Sequence, residues 1–291
     1  MVEYRYFEEL DKTLRNEVLA LIAAASTVDE TPAIAENVLL ALRYGSEKND
    51  RHLLALDGDR IAAYAHIDPT DLVEGPSTEL VVHPDFRGRG IGGALLEKVR
   101  KHTADSLRLW SHGDSAAAQR LASHHNFTKV RTVIQMRRSL MEPLPHIQIA
   151  TRAFTVADGE AWVELNNRAF EGHPEQSGWT LKDLDIRLNE EWFDANGLLI
   201  KEDAGKISAF CWTKLHTLNP VGEIYIMAVD PSLHRQGLGR EMVIAGLHYI
   251  RSQSIQSAML YVDAENAAAQ ELYKSLGFTE WGRDLLYKVR A

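Results

Sequence analysis

One stretch occurs twice in this chain, and its two copies fix how the rest can fold. The second copy runs Ile224-Tyr225-Ile226-Met227-Ala228-Val229-Asp230-Pro231-Ser232-Leu233-His234-Arg235-Gln236-Gly237-Leu238-Gly239-Arg240. Its apolar, partly β-branched run, 224–229, reads as a buried strand. Asp230-Pro231 closes it, because a residue before proline avoids the helical region. Gly237 and Gly239 then open a segment with helical spacing at Leu238, Met242, Ala245 and Tyr249. A strand, a glycine loop and a helix start together offer free backbone N–H groups, the geometry that receives a phosphate. The first copy runs Leu80-Val81-Val82-His83-Pro84-Asp85-Phe86-Arg87-Gly88-Arg89-Gly90-Ile91-Gly92. Val82-His83-Pro84 corresponds to Val229-Asp230-Pro231, 147 positions on. In a chain of 291 residues that period means two tandem domains, not a solenoid of roughly 20–50-residue repeats.

The net charge is −9, from 41 acidic and 32 basic residues. The basic residues are scattered apart from Arg87/Arg89, Arg137/Arg138 and Arg235/Arg240, which argues against a nucleic-acid partner. Positive charge beside the glycine loops remains compatible with a phosphorylated cofactor. No apolar run approaches the roughly 20 residues that span a bilayer, so no membrane partner is expected. Met1-Val2-Glu3-Tyr4-Arg5 carries no secretion pattern, and one cysteine, Cys211, cannot form an intrachain disulfide; cytoplasm is the expected compartment. Within Ala209-Phe210-Cys211-Trp212 that cysteine reads as a core thiol. His83, His112 and His124-His125 lack metal-ligand spacing, so no metal is expected. A monomer is expected.

Periodicity predicts a helix over 13–25, with Leu14, Val18, Leu21 and Ile22 inward, and a second opening at Thr31-Pro32. Strands at 53–56 and 61–67 flank the turn signal Asp57-Gly58. Past the glycine loop come a strand at 107–110, a helix at 115–125 and a strand at 130–137. Glu142-Pro143-Leu144-Pro145 reads as a stiff connector. The expected domains are 1–140 and 148–291, with a linker at 141–147. The second half repeats the order: helices at 158–169 and 181–189, strands at 198–201 and 207–215, then the loop. A strand at 259–262 follows, then a helix capped by Asn266 and ended by Gly277, then a last strand at 285–289. Each half is α+β, a mixed, mostly antiparallel sheet flanked by helices.

Arg87-Gly88-Arg89-Gly90-Ile91-Gly92 matches in full the Gln/Arg-x-x-Gly-x-Gly/Ala signature of the GCN5-related N-acetyltransferase family. His234-Arg235-Gln236-Gly237-Leu238-Gly239 matches it except for its histidine. Leu260 to Phe278 resembles that family's late strand, its Asn-x-x-Ala helix start and its Leu-Tyr-x-x-x-Gly-Phe ending. A dinucleotide fold would need a βαβ unit with an acidic residue on the next strand, whereas a hairpin precedes the loop here. The resemblance implies acetyl-CoA as co-substrate, its pyrophosphate on the glycine loop and its pantetheine arm along the preceding strand. The coenzyme contacts it implies are Leu80, Val81, Val82, Gly88, Arg89, Gly90, Ile91, Gly92 and Gly93 in the first half. In the second they are Met227, Ala228, Val229, His234, Arg235, Gln236, Gly237, Leu238, Gly239 and Arg240, with Asn266, Ala267, Ala268, Ala269, Gln270 and Glu271.

Acetyl transfer to an amine needs a base, a donor for the developing oxyanion and a proton for the departing thiolate. Strand N–H groups near Met227 to Val229 can supply the oxyanion donor. Glu223, at the start of the strand, is the candidate base, against a reading as an exposed strand-end charge. Tyr273 resembles the family's general acid, against a reading as a packed helix tyrosine. In the first half Pro76 stands 147 positions before Glu223, and Ala122 stands 151 before Tyr273, as Asn126 does before Gly277. The second half is therefore the expected catalytic one. The whole chain also resembles a tandem branch of the family that acetylates the cysteinyl α-amine of a cysteinyl glucosaminyl-inositol. The resemblance rests on His173-Pro174-Glu175-Gln176-x-Gly-Trp179, Trp192-Phe193-Asp194 and Trp212-Thr213-Lys214. It implies Glu36, Glu175, Lys214, Glu223 and Tyr261 as acceptor contacts. An α-amine titrates at about 7.7–8.0, so a weak base suffices. Two other readings stay open: an enzyme of this fold acetylating another small amine or a protein N-terminus, and an acyl-CoA-sensing module without turnover.

Overall fold

The structure, a computed structural model, describes residues 2–45, 49–71, 74–103, 106–173, 176–216 and 220–290. Contacts divide the chain into two units, Met1–Val133 with Gly282–Ala291, and Ile134–Trp281. The division is thus not a single cut at 141–147. The last strand of each half is split between the units, because a strand belongs where its hydrogen-bonding partners are, which proline content does not report.

Unit 1 begins β1 (Glu3–Phe7), α1 (Lys12–Asp29) and α2 (Glu36–Tyr44). Asp11 caps α1 by accepting from Leu14 N, and Val18, Leu21, Ile22 and Ala25 form its buried stripe. The second helix starts at Glu36, not at Thr31-Pro32. Its N-cap residue, Ala35, has no side chain to cap with; its own N–H donates instead to Glu79 Oε2, at 2.6 Å. β2 (Arg51–Asp57) and β3 (Arg60–Asp68) form the expected hairpin, with Gly58 at φ +63°. β4 (Ser77–Val82), α3 (Ile91–Lys101), β5 (Ser106–Ser111), α4 (Ala116–His124) and β6 (Thr128–Ser139) follow.

In unit 2 the order is β7 (Arg152–Ala153), α5 (Gly159–Ala169), α6 (Leu181–Leu188), β8 (Leu198–Asp203), β9 (Lys206–His216), β10 (Val221–Val229), α7 (Leu238–Ser252), β11 (Ser257–Asp263), α8 (Ala267–Ser275) and β12 (Thr279–Arg290). The short edge strand β7 escaped the sequence reading. From Gly282 onward β12 belongs to unit 1, where it runs antiparallel to β5.

Within unit 1 the strand order is β1-β2-β3-β4-β5-β12-β6, and within unit 2 β12-β6-β11-β10-β9-β8-β7. In unit 1, α3 packs Leu95, Leu96 and Val99 on one sheet face, while α1 and α2 cover Leu54, Tyr64 and Val81 on the other. In unit 2, α5 and α6 pack Trp162, Leu165 and Leu184 against Phe210, Trp212 and Ile226. The opposite face carries α7 against Cys211 and Ile224. Gly246 lets α7 approach: a Cβ there would lie 2.6 Å from Cys211 Sγ. Each fully buried aromatic or aliphatic side chain contributes about 1.5–3 kcal/mol.

One irregularity positions the site. β10 runs antiparallel to β9, with a register shift between Ile224 and Ile226. It runs parallel to β11 only at Gly222↔Ala258 and Glu223↔Met259, after which the two strands part. In unit 1, β4 and β5 part likewise after Glu79↔Trp110, but β4 shows no shift against β3.

Candidate active site

The parting of β10 and β11 leaves one edge of 224–229 unpaired with β11, just before the glycine loop. Gly237 is the N-cap of α7 at φ +82°, with no side-chain cap bond, so the first N–H groups of the helix face outward unsatisfied by side chains. Gly90 does the same for α3 at φ +77°. A Cβ on Gly92 would lie 3.3 Å from Val82 Cγ2, tight enough that glycine sets how closely helix and strand approach there, whereas one on Gly239 would lie 3.7 Å from Val229 Cγ2, an ordinary contact.

The histidine that breaks the signature has a physical equivalent. Arg87 Nε donates to Val82 O at 3.2 Å, and His234 Nε2 lies 3.2 Å from Val229 O. Both side chains hold the loop to the strand end. Arg87 also forks onto Asp29 at 2.7 Å. Where the first copy has Gly88 at φ +74°, the second carries Arg235 at +63°, a left-handed conformation that costs a side-chain-bearing residue about 1–2 kcal/mol.

A cavity of about 470 Å³ adjoins the second loop, lined by Gln148, Ile149, Asp203, Leu233, Gln236, Gly237, Leu238, Arg240 and Glu241. One of about 920 Å³ adjoins the first, lined by Gly88, Gly90, Gly93, Ala94, Glu97 and Arg120 among others. Met227, Ala228 and Val229 form the end of β10, and Leu80, Val81 and Val82 the end of β4; Ile91 begins α3 and is buried. Arg89 Nη2 donates to Asp85 O at 3.0 Å. In α8, Asn266 accepts from Ala269 N at 3.1 Å and Gln270 Nε2 donates to Ala264 O at 2.8 Å, so both side chains already serve the helix start. Glu271 pairs with Lys274. Ala267 and Ala268 form the helix's first turn.

Glu223 is 8% exposed, which removes the reading as a solvated strand-end charge. It faces Lys214 across β9 and Met259 across β11, so strand alternation puts Lys214, Glu223 and Tyr261 on one sheet face, the one covered by α5 and α6. Lys214 Nζ lies 4.6 Å from the Trp192 ring centre and 5.2 Å from that of Tyr225. Those π-faces favour a cation at that spot. Arg187 Nε holds Tyr225 by donating to its hydroxyl at 2.9 Å. Tyr261 Oη accepts from Gln135 Nε2 at 3.0 Å.

Tyr273 packs on the other face, in the cluster of α7 and Cys211. Burial, helped by Cys211, pushes its hydroxyl up to about 12. Burial likewise holds the Cys211 thiol up at about 12, which suits a core thiol and not a nucleophile. Glu36 is half-buried at the first position of α2, in unit 1. Glu175 lies outside the described residues.

Two family models match the chain, "Acetyltransferase (GNAT) family" over 159–278 and "Acetyltransferase (GNAT) domain" over 48–129. The mycothiol acetyltransferase of Thermobispora bispora is 47% identical, over 93% of this chain and 94% of that protein. The mycothiol acetyltransferase of Acidothermus cellulolyticus is 44% identical, over 96% of this chain and 92% of that protein. The chain belongs to the mycothiol acetyltransferase family. Its fold is that of tandem GNAT proteins: one from the clavulanic acid biosynthesis pathway superposes with TM-score 0.74 at 15% identity, covering 100% of this chain and 98% of that one.

For a member of the mycothiol acetyltransferase family, three features went unread in the sequence. His216 Nε2 lies 2.8 Å from Glu223 Oε2. Its place two residues beyond Lys214 on β9 is a usable signal, but the apolar run that marks the strand in sequence stops at Leu215. In unit 1, His112 bridges two carboxylates, Nε2 to Glu79 at 3.0 Å and Nδ1 to Asp284 at 3.3 Å. Burial works to lower the imidazole, but the two carboxylates outweigh it and raise it to about 10. Burial works to raise Glu79; His112 outweighs it and leaves the carboxyl lowered. No local pattern could have revealed a contact between positions 79, 112 and 284. Third, the shift at Tyr225 changes the comparison of the halves: counted from the loops through the cross-strand pairs, Glu223 (opposite Lys214) corresponds to Ser77 (opposite Asp68), not to Pro76. The other alignment stands, with Asn126 at φ +61° ending α4 as Gly277 at +83° ends α8.

Proposed function

We propose that unit 2 transfers the acetyl group of acetyl-CoA to the cysteinyl α-amine of desacetylmycothiol, a cysteinyl glucosaminyl-inositol, giving mycothiol and CoA. The observation that carries the reading is Glu223, buried at the point where β10 and β11 part, on one face with Lys214 and Tyr261. Glu223 takes the proton of the acceptor amine, directly or through a water. N–H groups of 227–229 on β10 stabilise the oxyanion. Tyr273 serves the leaving sulfur. A thiol titrates near 8.5, so a phenol at about 12 gives up its proton to a thiolate only uphill, by about 5 kcal/mol. Tyr273 therefore acts by hydrogen-bonding to the developing thiolate, and the last proton arrives from solvent. Lys214, Tyr261, Glu36 and Glu175 are the proposed acceptor contacts.

Unit 1 is proposed to hold acetyl-CoA on its loop without turning it over. This is supported by Ser77 at the register of Glu223 and by Ala122 in the place of Tyr273. A cytoplasmic monomer without a metal completes the reading. Among the described residues no helix is long and apolar enough to cross a membrane.

The test is mass-resolved product analysis with acetyl-CoA and the cysteinyl glucosaminyl-inositol beside simple amines and a peptide N-terminus. The expected result is preferred N-acetylation of the first. Preference for a simple amine or the peptide, or no acceptor at all, would overturn the assignment.

A further inference from the structure

His216 is the polar neighbour of the proposed base that no role above uses. It ends β9, where its backbone pairs with Val221, and its ring reaches diagonally to the carboxylate of Glu223, with Nε2 2.8 Å from Oε2. The carboxylate is 10% exposed and the imidazole 31%, so the ring is the wetter member of the pair. Three other elements bring titratable or charged groups to this face: Tyr225 on β10, Arg187 on α6, which bonds to Tyr225, and Tyr261 on β11; β9 itself adds Lys214.

We propose that His216 is a positioning and proton-relay residue for Glu223, forming with it a two-part base. It rests on the reading of Glu223 as the base. The acceptor ammonium gives its proton to a Glu223 oxygen, and Glu223 passes a proton to Nε2 of the neutral imidazole. The imidazolium releases its Nδ1 proton to water, which leaves the Nε2–H tautomer hydrogen-bonded to the carboxylate; exchange through water of the Nε2 proton for one at Nδ1 resets the starting tautomer before the next turnover. The relay answers a mismatch: an ammonium hands a proton poorly to a carboxylate alone, and an imidazole is the stronger base of the two. The hydrogen bond also fixes which carboxylate oxygen faces the amine.

The experiment uses the full chain in two arms. In the first, kcat is followed against pH for wild type, His216→Gln and His216→Ala with the cysteinyl glucosaminyl-inositol. Gln keeps an N–H donor but cannot relay. His216→Gln is expected to lower kcat at least tenfold and to move the acid limb down by a unit or more, with KM for acetyl-CoA within twofold. Added imidazole is expected to restore part of the His216→Ala rate. A lowered kcat with an unmoved acid limb and no imidazole rescue would mean a merely structural histidine and overturn the proposal. The second arm needs no acceptor: 15N-labelled histidine is titrated by NMR in wild type and Glu223→Gln. The His216 Nε2 resonance is expected to move when its carboxylate partner is removed; an unmoved resonance overturns the pairing. If wild type acetylates no acceptor, the functional reading fails by itself, and the NMR arm still decides the pairing.

Discussion

Tyr273 shows how much one buried hydroxyl constrains. With its pKa pushed up to about 12 it stays protonated through any working pH. Tyr273→Phe is expected to lower kcat by roughly 10²-fold, the size seen when one hydrogen-bond donor to developing charge is lost, with coenzyme Kd changed less than threefold. Wild-type kcat should show no loss between pH 8 and 10 attributable to tyrosine ionisation, a point checked by overlaying the two profiles. The loop glycines are separate tests. Nothing lies within 4 Å of a Cβ on Gly237 or Gly90, so an added methyl acts only through the left-handed backbone. Gly237→Ala should pull the α7 N-terminus out of place and weaken coenzyme binding in unit 2 about tenfold, read by calorimetry, with a matching loss of turnover. Gly90→Ala should leave turnover nearly intact; equal losses would contradict the division of labour between the units.

At the scale of elements, the β10–β11 parting and the close fit of α7 make the site. Gly246→Ala would press a methyl into Cys211 Sγ and into Ile224 Cδ1, 2.8 Å away. A cost of about 1–3 kcal/mol is expected, measured by denaturant unfolding, because overpacking a tight interface strains both sides. The strand–loop–helix units were legible in the sequence because their apolar periods, Asp-Pro or His-Pro stops and glycines are local signals. The shift at Tyr225 was not: a bulge depends on how two strands align, and a run such as Ile224-Tyr225-Ile226 reads the same with or without one. The start of α2 was misjudged for a related reason. Its capping acceptor is Glu79, on a strand 44 positions away, so Thr31-Pro32 was the only signal nearby. Glu223 is proposed from its place at the start of the strand and Tyr273 from motif resemblance, whereas His216 follows from strand alternation once β9 is given its full length.

At the scale of the molecule, the final strand's course could not be read from composition, since nothing in Leu285 to Val289 names β5 as its partner. Asp284, on that strand, closes the His112 cluster of unit 1. His112 stands at about 10, above its ordinary 6.5, so its contribution to stability is fully present below about 6.5 and lost as pH rises toward 10. Glu79 is lowered from 4.5, so its contribution is present above that value and lost as pH falls through the lowered one. His112→Phe takes the imidazole partner from buried Glu79 and half-buried Asp284 and should cost about 3–5 kcal/mol near pH 6, read as a drop in Tm that shrinks toward pH 10. A gap in Tm that stayed constant across that range would deny the cluster its charge. The central claim is that one buried carboxylate in unit 2 deprotonates the acceptor. Its most direct test is Glu223→Gln, with acetyl-CoA binding and acetylated product measured on the same preparation. The account predicts coenzyme affinity within threefold of wild type and a kcat lower by roughly 10²–10⁴-fold; turnover within a few-fold of wild type would contradict it.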